Sequence, residues 1–358
     1  MSATPLSVWR ILDASANRVG EGLRVIEEFA RFDLNDAHFS RLLKESRHEF
    51  TAALMMVPER FRLAARDTPG DVGTAIGTLS EYQRSSLLDV VRASFKRVQE
   101  GLRTLEEYGK LIHSAGEGPT FSQRIEQLRY RLYTAEKGVL RTASLTERLY
   151  GQHLYLLVTA SACVAGLETT VRAALDAGVR MIQIREKQVP DRELVEHARH
   201  LRQWTAAAGA LLIVNDRPDI AVLANADGVH VGQDELTVRD ARQIVGPHRL
   251  VGVSTHSIEQ ARQAVLDGAD YLGVGPTYPS STKSFDKFSG LEFVRQVAAE
   301  IALPWFAIGG IQLQTLGPAL TAGASRVAIS GAICGANDPR QVTTELLARL
   351  REHQPENV

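Results

Sequence analysis

Two rhythms of apolar and polar positions divide the chain. From Ser7 to about Thr142 the apolar residues recur at helical spacing, with breaks at 58–77 and 113–119. On the first helix Leu12, Val19, Leu23, Ile26 and Ala30 share one face, and Asp13, Asn17, Glu21, Arg24 and Glu28 form a narrow stripe opposite. The stripe reads as a solvated face laced by i,i+4 pairs. From Gln152 the rhythm changes to short apolar runs at 153–159, 180–185, 211–215, 228–232, 250–254, 271–275, 305–309 and 326–330. Amphipathic helical stretches separate most of them, the third, at 217–224, being short.

The helical part contains a repeat. The stretch from Ala14 to Glu28 returns 79 residues later from Ala93 to Glu107, and a fainter echo links Phe39, Ser40 and Arg47 to Phe121, Ser122 and Arg129. A helix pair duplicated once predicts an all-α four-helix domain over residues 1–148 with pseudo-twofold symmetry. Gly22 and Gly101 sit at equivalent places on the apolar side of the repeated helices. Each costs about 1 kcal/mol of helix propensity, so a close approach of the two helices is the expected reason for them. The connector Arg66–Thr74 reads as a turn-rich link whose Thr68, Gly70, Gly73 and Thr74, with Arg66 nearby, are compatible with a phosphate. It lacks the Gly-Lys-Thr ending of a Walker A loop.

Eight strand–helix alternations in residues 149–358 predict an α/β domain, a closed (β/α)8 TIM barrel. A doubly wound open sheet is the runner-up, but no G-x-G-x-x-G opens a helix after the first strand. Chemistry in such a barrel lies at the carboxyl ends of the strands. Those positions hold Gln183, Arg185 and Lys187, predicted to share one face of the strand Met181–Gln188, then Asn215, Asp216, His230, Gly232, Gln233, Asp234 and Glu235. They continue with Ser254, Thr255 and His256, the stretch Gly275–Lys283, Gly309, Gly310 and Ser330. Asp216 with Glu235 or Asp234 offers hard carboxylates that suit Mg²⁺ rather than zinc. Arg185, Lys187 and Lys283 add positive charge, while the backbone ending the seventh and eighth strands suits a monophosphate. The stretch Tyr278–Ser289 reads as a lid. No nucleophile with an adjacent base stands out, so departure of a diphosphate assisted by electrostatics is the mechanism these residues suggest.

Composition excludes other classes. A net charge of −1 gives no field for nucleic acid or a membrane surface, and no 18-residue apolar run or signal peptide occurs. The two cysteines, Cys163 and Cys334, have neither metal-ligand spacing nor a disulfide framework, as expected of a protein in a reducing cytoplasm.

Six motifs in order carry a resemblance: Gln183-Ile-Arg-Glu-Lys187, Val214-Asn-Asp216, the run Ala226–Gln233, the run Gly252–His256, Gly275–Pro279 with Thr282 and Lys283, and the run Ala307–Ile311. Together they resemble thiamine-phosphate synthase across about residues 150–350. The resemblance implies Mg²⁺-dependent transfer of the hydroxymethylpyrimidine group from its diphosphate to the ring nitrogen of hydroxyethylthiazole phosphate, through a cation-like pyrimidine methylene. It implies that Gln183, His230 and Ser254 face the aminopyrimidine, and that Arg185, Lys187, Asn215, Ser280, Thr282 and Lys283 hold the diphosphate. Lys187, Arg185, Ser254 and Lys283 are the expected catalytic groups, and Gly310 and Ser330 carry the thiazole phosphate through backbone groups. Asp216 and Glu235 are the implied metal ligands, Glu235 standing where the family has Asp, with Asp234 just before it. The expected partners are these small molecules, and a homo-oligomer is compatible with the reading. The helical part resembles the extension of some bacterial and cyanobacterial members, for which phosphorylation of hydroxymethylpyrimidine phosphate is one proposed role and a structural or dimerising role another. A thiazole tautomerase shares the barrel but has no need of the diphosphate-binding cations or metal carboxylates. A thiamine-metabolite-binding regulator is the non-enzymatic alternative.

Overall fold

The structure, a computed structural model, describes residues 4–72, 83–112, 118–279 and 289–353. The chain divides into two units, Met1–Ala143 and Ser144–Val358, the division falling inside the helix Phe121–Arg148.

The first unit is built on the repeat. Helices α1 (Leu6–Phe32) and α4 (Leu87–Gly109) carry the duplicated stretch and pack against each other, with α2 (Ala37–Leu54) and α5 (Phe121–Arg148) as their repeated partners. A Cβ on Gly22 would come within 2.6 Å of Val98 Cγ2 and 3.3 Å of the Ser94 carbonyl; one on Gly101 would meet Val19 Cγ2 and the Ser15 carbonyl at the same two distances. The glycines are the contact surface of the two repeated helices, as their positions predicted. Leu12, Val19, Leu23, Ile26 and Ala30 are all buried, as are Val98, Leu102 and Leu105 of the second copy. Each buried large aliphatic side chain contributes about 1.5–3 kcal/mol.

The symmetry extends to charge. Arg47 donates to Glu27 at 2.9 Å and Arg129 to Glu106 at 2.8 Å, and both carboxylates are buried. The faint echo of Arg47 in Arg129 is therefore the second half of a duplicated ion pair.

One sequence expectation is corrected here. Asp13 is not on a solvated stripe but buried, taking a bidentate bond from Arg66 at 2.7 and 3.0 Å with Arg62 at 3.7 Å. The cover comes from the connector and from α3 (Glu59–Ala65), a short helix that the apolar spacing did not predict and whose Phe61 stacks on Trp9. Helical angle alone cannot report a cover supplied by residues fifty positions away. In the connector, Arg66 bonds to Asp13 and the Gly70 N–H donates to Asp67 Oδ1; Gly73 and Thr74 lie outside the described residues.

The second unit is a closed parallel barrel. Its strands are β1 (Leu154–Val158), β2 (Met181–Ile184), β3 (Leu211–Asn215), β4 (Gly228–Val231), β5 (Leu250–Thr255), β6 (Tyr271–Val274), β7 (Trp305–Ile308) and β8 (Val327–Ile329). Each lies within or within one residue of a predicted run, and β1 pairs with β8 from Leu154 opposite Val327, which excludes the open sheet. The outer helices α6 (Leu167–Ala177), α7 (Asp191–Ala207), α8 (Pro218–Leu223), α9 (Val238–Val245), α10 (Ile258–Asp267), α11 (Gly290–Glu300), α12 (Leu313–Thr321) and α14 (Pro339–Glu352) follow the strands, with α8 short as expected. A four-residue helix, α13 (Gly331–Cys334), is inserted after β8. No helix among the described residues is long and apolar enough to cross a membrane.

Candidate active site

A cavity of about 460 Å³ opens within the second unit, a volume suited to small molecules. Gln183, Arg185, Lys187, Asn215, Asp216, His230, Glu235, Ser254, Gly310 and Ser330 all line it. The predicted Ser280, Thr282 and Lys283, and most of the predicted lid, lie outside the described residues. The segment's two described ends are anchored: Tyr278 Oη donates to the Thr315 carbonyl at 2.8 Å, and Ser289 Oγ to that of His256 at 2.7 Å.

Strand register puts the polar floor together. His230 pairs with Gly252, which pairs with Tyr271, and Ser254 pairs with Gly273. A Cβ at Gly252 would collide with the Tyr271 ring, and one at Gly273 would lie 3.2 Å from His230 Cε1. The two glycines make room for two rings side by side. His230 Nε2 then meets Ser254 Oγ at 2.9 Å and its Nδ1 meets Tyr271 Oη at 3.2 Å. Tyr271 Oη in turn meets Tyr155 Oη at 3.0 Å, and Gln183 Nε2 donates to Tyr155 Oη at 2.5 Å. Burial pushes the His230 imidazole down to about 4, so it is neutral near pH 7. Burial raises both phenols, which stay protonated.

The charged groups stand where the strands end. Strand β2 stops at Ile184, so Arg185 and Lys187 project from the following loop rather than from a continuous strand face. The loop is tied to the one after β1: the Arg185 N–H donates to the Val158 carbonyl at 2.8 Å, Thr159 Oγ1 to the Arg185 carbonyl at 2.7 Å, and the Ala160 N–H to Glu186 at 2.7 Å. Glu186 is thus used structurally while Arg185 and Lys187 face the cavity. Lys187 Nζ lies 3.3 Å from Asp216 Oδ2. Asp216 turns out of β3 in a left-handed conformation (φ 60°), held by its N–H bond of 2.8 Å to the His230 carbonyl.

Asp216 and Glu235 bring two hard carboxylates to one cavity, and Asp234 is not among its lining residues. Among the described residues no group of three His, Cys, Asp or Glu stands together to hold a metal unaided. This donor set fits Mg²⁺, which commonly keeps one or two carboxylates and takes its other ligands from phosphate and water. Elsewhere on the cavity wall, Gly310 has φ 63°, and a Cβ there would come within 2.6 Å of the Pro279 carbonyl. Ser330 precedes α13, its carbonyl accepting from Ile333 and Cys334 N–H at 3.0 and 2.9 Å.

Sequence reasoning missed Tyr155, Tyr271 and Phe306, which also line the cavity, the three rings packing with centroids 5.2–5.8 Å apart. A tyrosine at the start of an apolar run was the available signal, because a buried phenol needs a hydrogen-bond partner.

Comparison with known proteins follows the same division. Residues 154–333 match the family model described as thiamine monophosphate synthase, and residues 10–138 match that of the ThiD2 family. A thiamine-phosphate synthase of Rhodopirellula baltica is 44% identical over 98% of this chain and 95% of its own. The thiamine-phosphate synthase of Nostoc punctiforme is 42% identical over 98% and 96%. A solved thiamine phosphate pyrophosphorylase from Pyrococcus furiosus aligns with TM-score 0.53 and 35% identity, covering 57% of this chain and 98% of that one.

Proposed function

The chain belongs to the thiamine-phosphate synthase family, and on that premise we propose that residues 149–358 join two small substrates. The (aminopyrimidinyl)methyl group of hydroxymethylpyrimidine diphosphate is transferred through its methylene carbon to the ring nitrogen of hydroxyethylthiazole phosphate, giving thiamine phosphate and pyrophosphate. The protein is then a transferase of thiamine biosynthesis. The observation that carries this reading is the single cavity that gathers Arg185, Lys187, Asp216 and Glu235 with the neutral floor of Gln183, His230 and Ser254.

Arg185, Lys187 and Asn215 hold the diphosphate, joined by Ser280, Thr282 and Lys283 of the Tyr278–Ser289 stretch. Asp216 and Glu235 would hold Mg²⁺, whose charge, when bound, offsets that of the leaving diphosphate. The floor orients the pyrimidine. As the methylene C–O bond breaks, its electron pair leaves with pyrophosphate, and the amino-substituted ring stabilises the cation-like carbon. The thiazole nitrogen lone pair then forms the new C–N bond, its phosphate lying against the backbone at Gly310 and Ser330. No step requires a protein nucleophile, and Lys187 and Arg185 act by stabilising charge on the leaving group.

For residues 1–148 we propose a kinase-like extension acting on hydroxymethylpyrimidine phosphate, supported by the separate family match over residues 10–138. Formation of thiamine phosphate from the pyrimidine monophosphate, ATP and the thiazole phosphate tests it; a full chain that uses only the diphosphate contradicts it.

Lys187→Ala and Asp216→Ala test the barrel assignment. Both side chains stand on loops and are part-exposed, at 47% and 23%. Each variant is expected to lose at least about 100-fold in kcat/KM with an unchanged circular dichroism spectrum. Near-normal turnover in either overturns the assignment of the diphosphate and metal groups.

A further inference from the structure

The chain's two cysteines meet beside the cavity. Cys163 lies on the loop after β1 and Cys334 ends α13; both are free and buried, at 8% and 0% exposure. The Val164 N–H donates to the Cys334 carbonyl at 2.9 Å, which joins the two backbones. Both thiols turn onto the carboxyl end of β1, Cys163 Sγ donating to the Thr159 carbonyl at 3.4 Å and Cys334 Sγ to that of Leu157 at 3.5 Å. The two side chains also interact directly with one another. We propose that Cys163 and Cys334 are a redox-active pair, closed to a disulfide by a hydroperoxide, and that closure weakens binding of the phosphate-bearing substrate at Ser330.

The pair is asymmetric in the way such a reaction needs. Cys163 is the more exposed thiol, and its neighbour Val164 is 64% exposed, so a small oxidant approaches from that side. Hydrogen bonding from Cys334 holds the Cys163 thiol below its ordinary value against the opposing effect of burial, whereas the same contact and burial raise Cys334. The Cys163 sulfur attacks one hydroperoxide oxygen, the O–O bond breaks, water or an alcohol leaves, and Cys163 becomes a sulfenic acid. The Cys334 sulfur then attacks the Cys163 sulfur, the S–O bond breaks, and the hydroxyl leaves as water with the Cys334 proton. Two electrons pass from the two thiols to the peroxide, and a dithiol reductant returns them.

Closure acts on the cavity through α13. A disulfide holds its sulfurs about 2 Å apart, nearer than any non-bonded contact, so the two segments are drawn together. Helix α13 is only four residues long, and the Cys334 N–H donates to the Ser330 carbonyl at 2.9 Å. Ser330, Gly331 and Ala332 line the cavity, as does Leu157, whose carbonyl loses its thiol partner on closure. The effect on binding rests on the proposed placement of the thiazole phosphate at Ser330; formation of the bond does not.

The full chain is treated with hydrogen peroxide, digested without reduction and mapped by mass spectrometry. The same samples are assayed with hydroxymethylpyrimidine diphosphate, Mg²⁺ and varied thiazole phosphate. The chain has no third cysteine, so linked peptides from a protein that stays monomeric on a non-reducing gel join Cys163 to Cys334. That link is expected, together with a rise in KM for the thiazole phosphate of at least about tenfold, and dithiothreitol should reverse both. Cys163→Ala should keep its KM after peroxide. Thiols that stay free, or that oxidise singly, overturn the pairing. Linked protein with an unchanged KM, or an equal loss in Cys163→Ala, overturns the effect on binding. Reduced protein that makes no thiamine phosphate overturns the synthase reading and the effect on binding with it, while the peptide map still decides the pairing.

Discussion

His230 shows how one residue's surroundings decide its chemistry. Its folded value, about 4, lies below the ordinary 6.5 because burial disfavours the imidazolium. Between those values the unfolded chain takes up a proton at this site that the fold excludes. Its contribution to stability is therefore complete above pH 6.5 and is lost as the pH falls toward 4. The loss by pH 4.5 is on the order of 2–3 kcal/mol. In urea denaturation at pH 7.5 and 4.5, His230→Gln should lose less stability between the two than wild type does, by about that amount; equal losses would show that His230 is not held neutral. The sequence showed His230 and Ser254 as candidates, because both end strands of a recognisable barrel. It hid the tyrosines that join His230 to Gln183, because Tyr155 and Tyr271 lie 116 positions apart and meet only when the barrel closes.

At the scale of the element, legibility followed locality. The eight strands were readable because an apolar run bounded by turn residues reports its own burial. The loop after β2 was less so: alternation continues in the letters through Lys187, but pairing ends at Ile184, and the cross-loop bonds of Glu186 and Arg185 are made to residues of the β1 loop. Helices α1 and α4 give the sharpest element-scale prediction. Gly22→Ala and Gly101→Ala each gain about 1 kcal/mol of helix propensity but force a methyl into a facing valine, an overpacking cost of about 1–3 kcal/mol. Both should lower stability, and by similar amounts, because their neighbours are equivalent. Gly20, in the same helix, has nothing within 4 Å of its Cβ position, so Gly20→Ala should be neutral or stabilising by up to about 1 kcal/mol. Chemical denaturation distinguishes the three, and a stabilised Gly22→Ala or Gly101→Ala would contradict the close approach. Asp13 marks the limit of such reading, since its cover comes from Arg66, two helices further along the chain.

At the scale of the molecule, a duplicated helical unit and a closed barrel occur in one chain, and relatives named thiamine-phosphate synthase match it almost end to end. The barrel's class could be read from alternation alone. Its candidate cavity residues could be read because a site at strand ends leaves them in six short motifs instead of scattering them. What the sequence left open was the division of labour inside the cavity, which depends on distances such as the 3.3 Å between Lys187 and Asp216. The proposed reaction of this cavity joins a pyrimidine diphosphate to a thiazole phosphate. The most direct measurement is product formation by the purified full chain given hydroxymethylpyrimidine diphosphate, hydroxyethylthiazole phosphate and Mg²⁺. Thiamine phosphate and pyrophosphate should appear in equal amounts, and chelation of Mg²⁺ should suppress both. Binding of both substrates without any thiamine phosphate would contradict the claim and favour a protein that senses these metabolites instead of joining them.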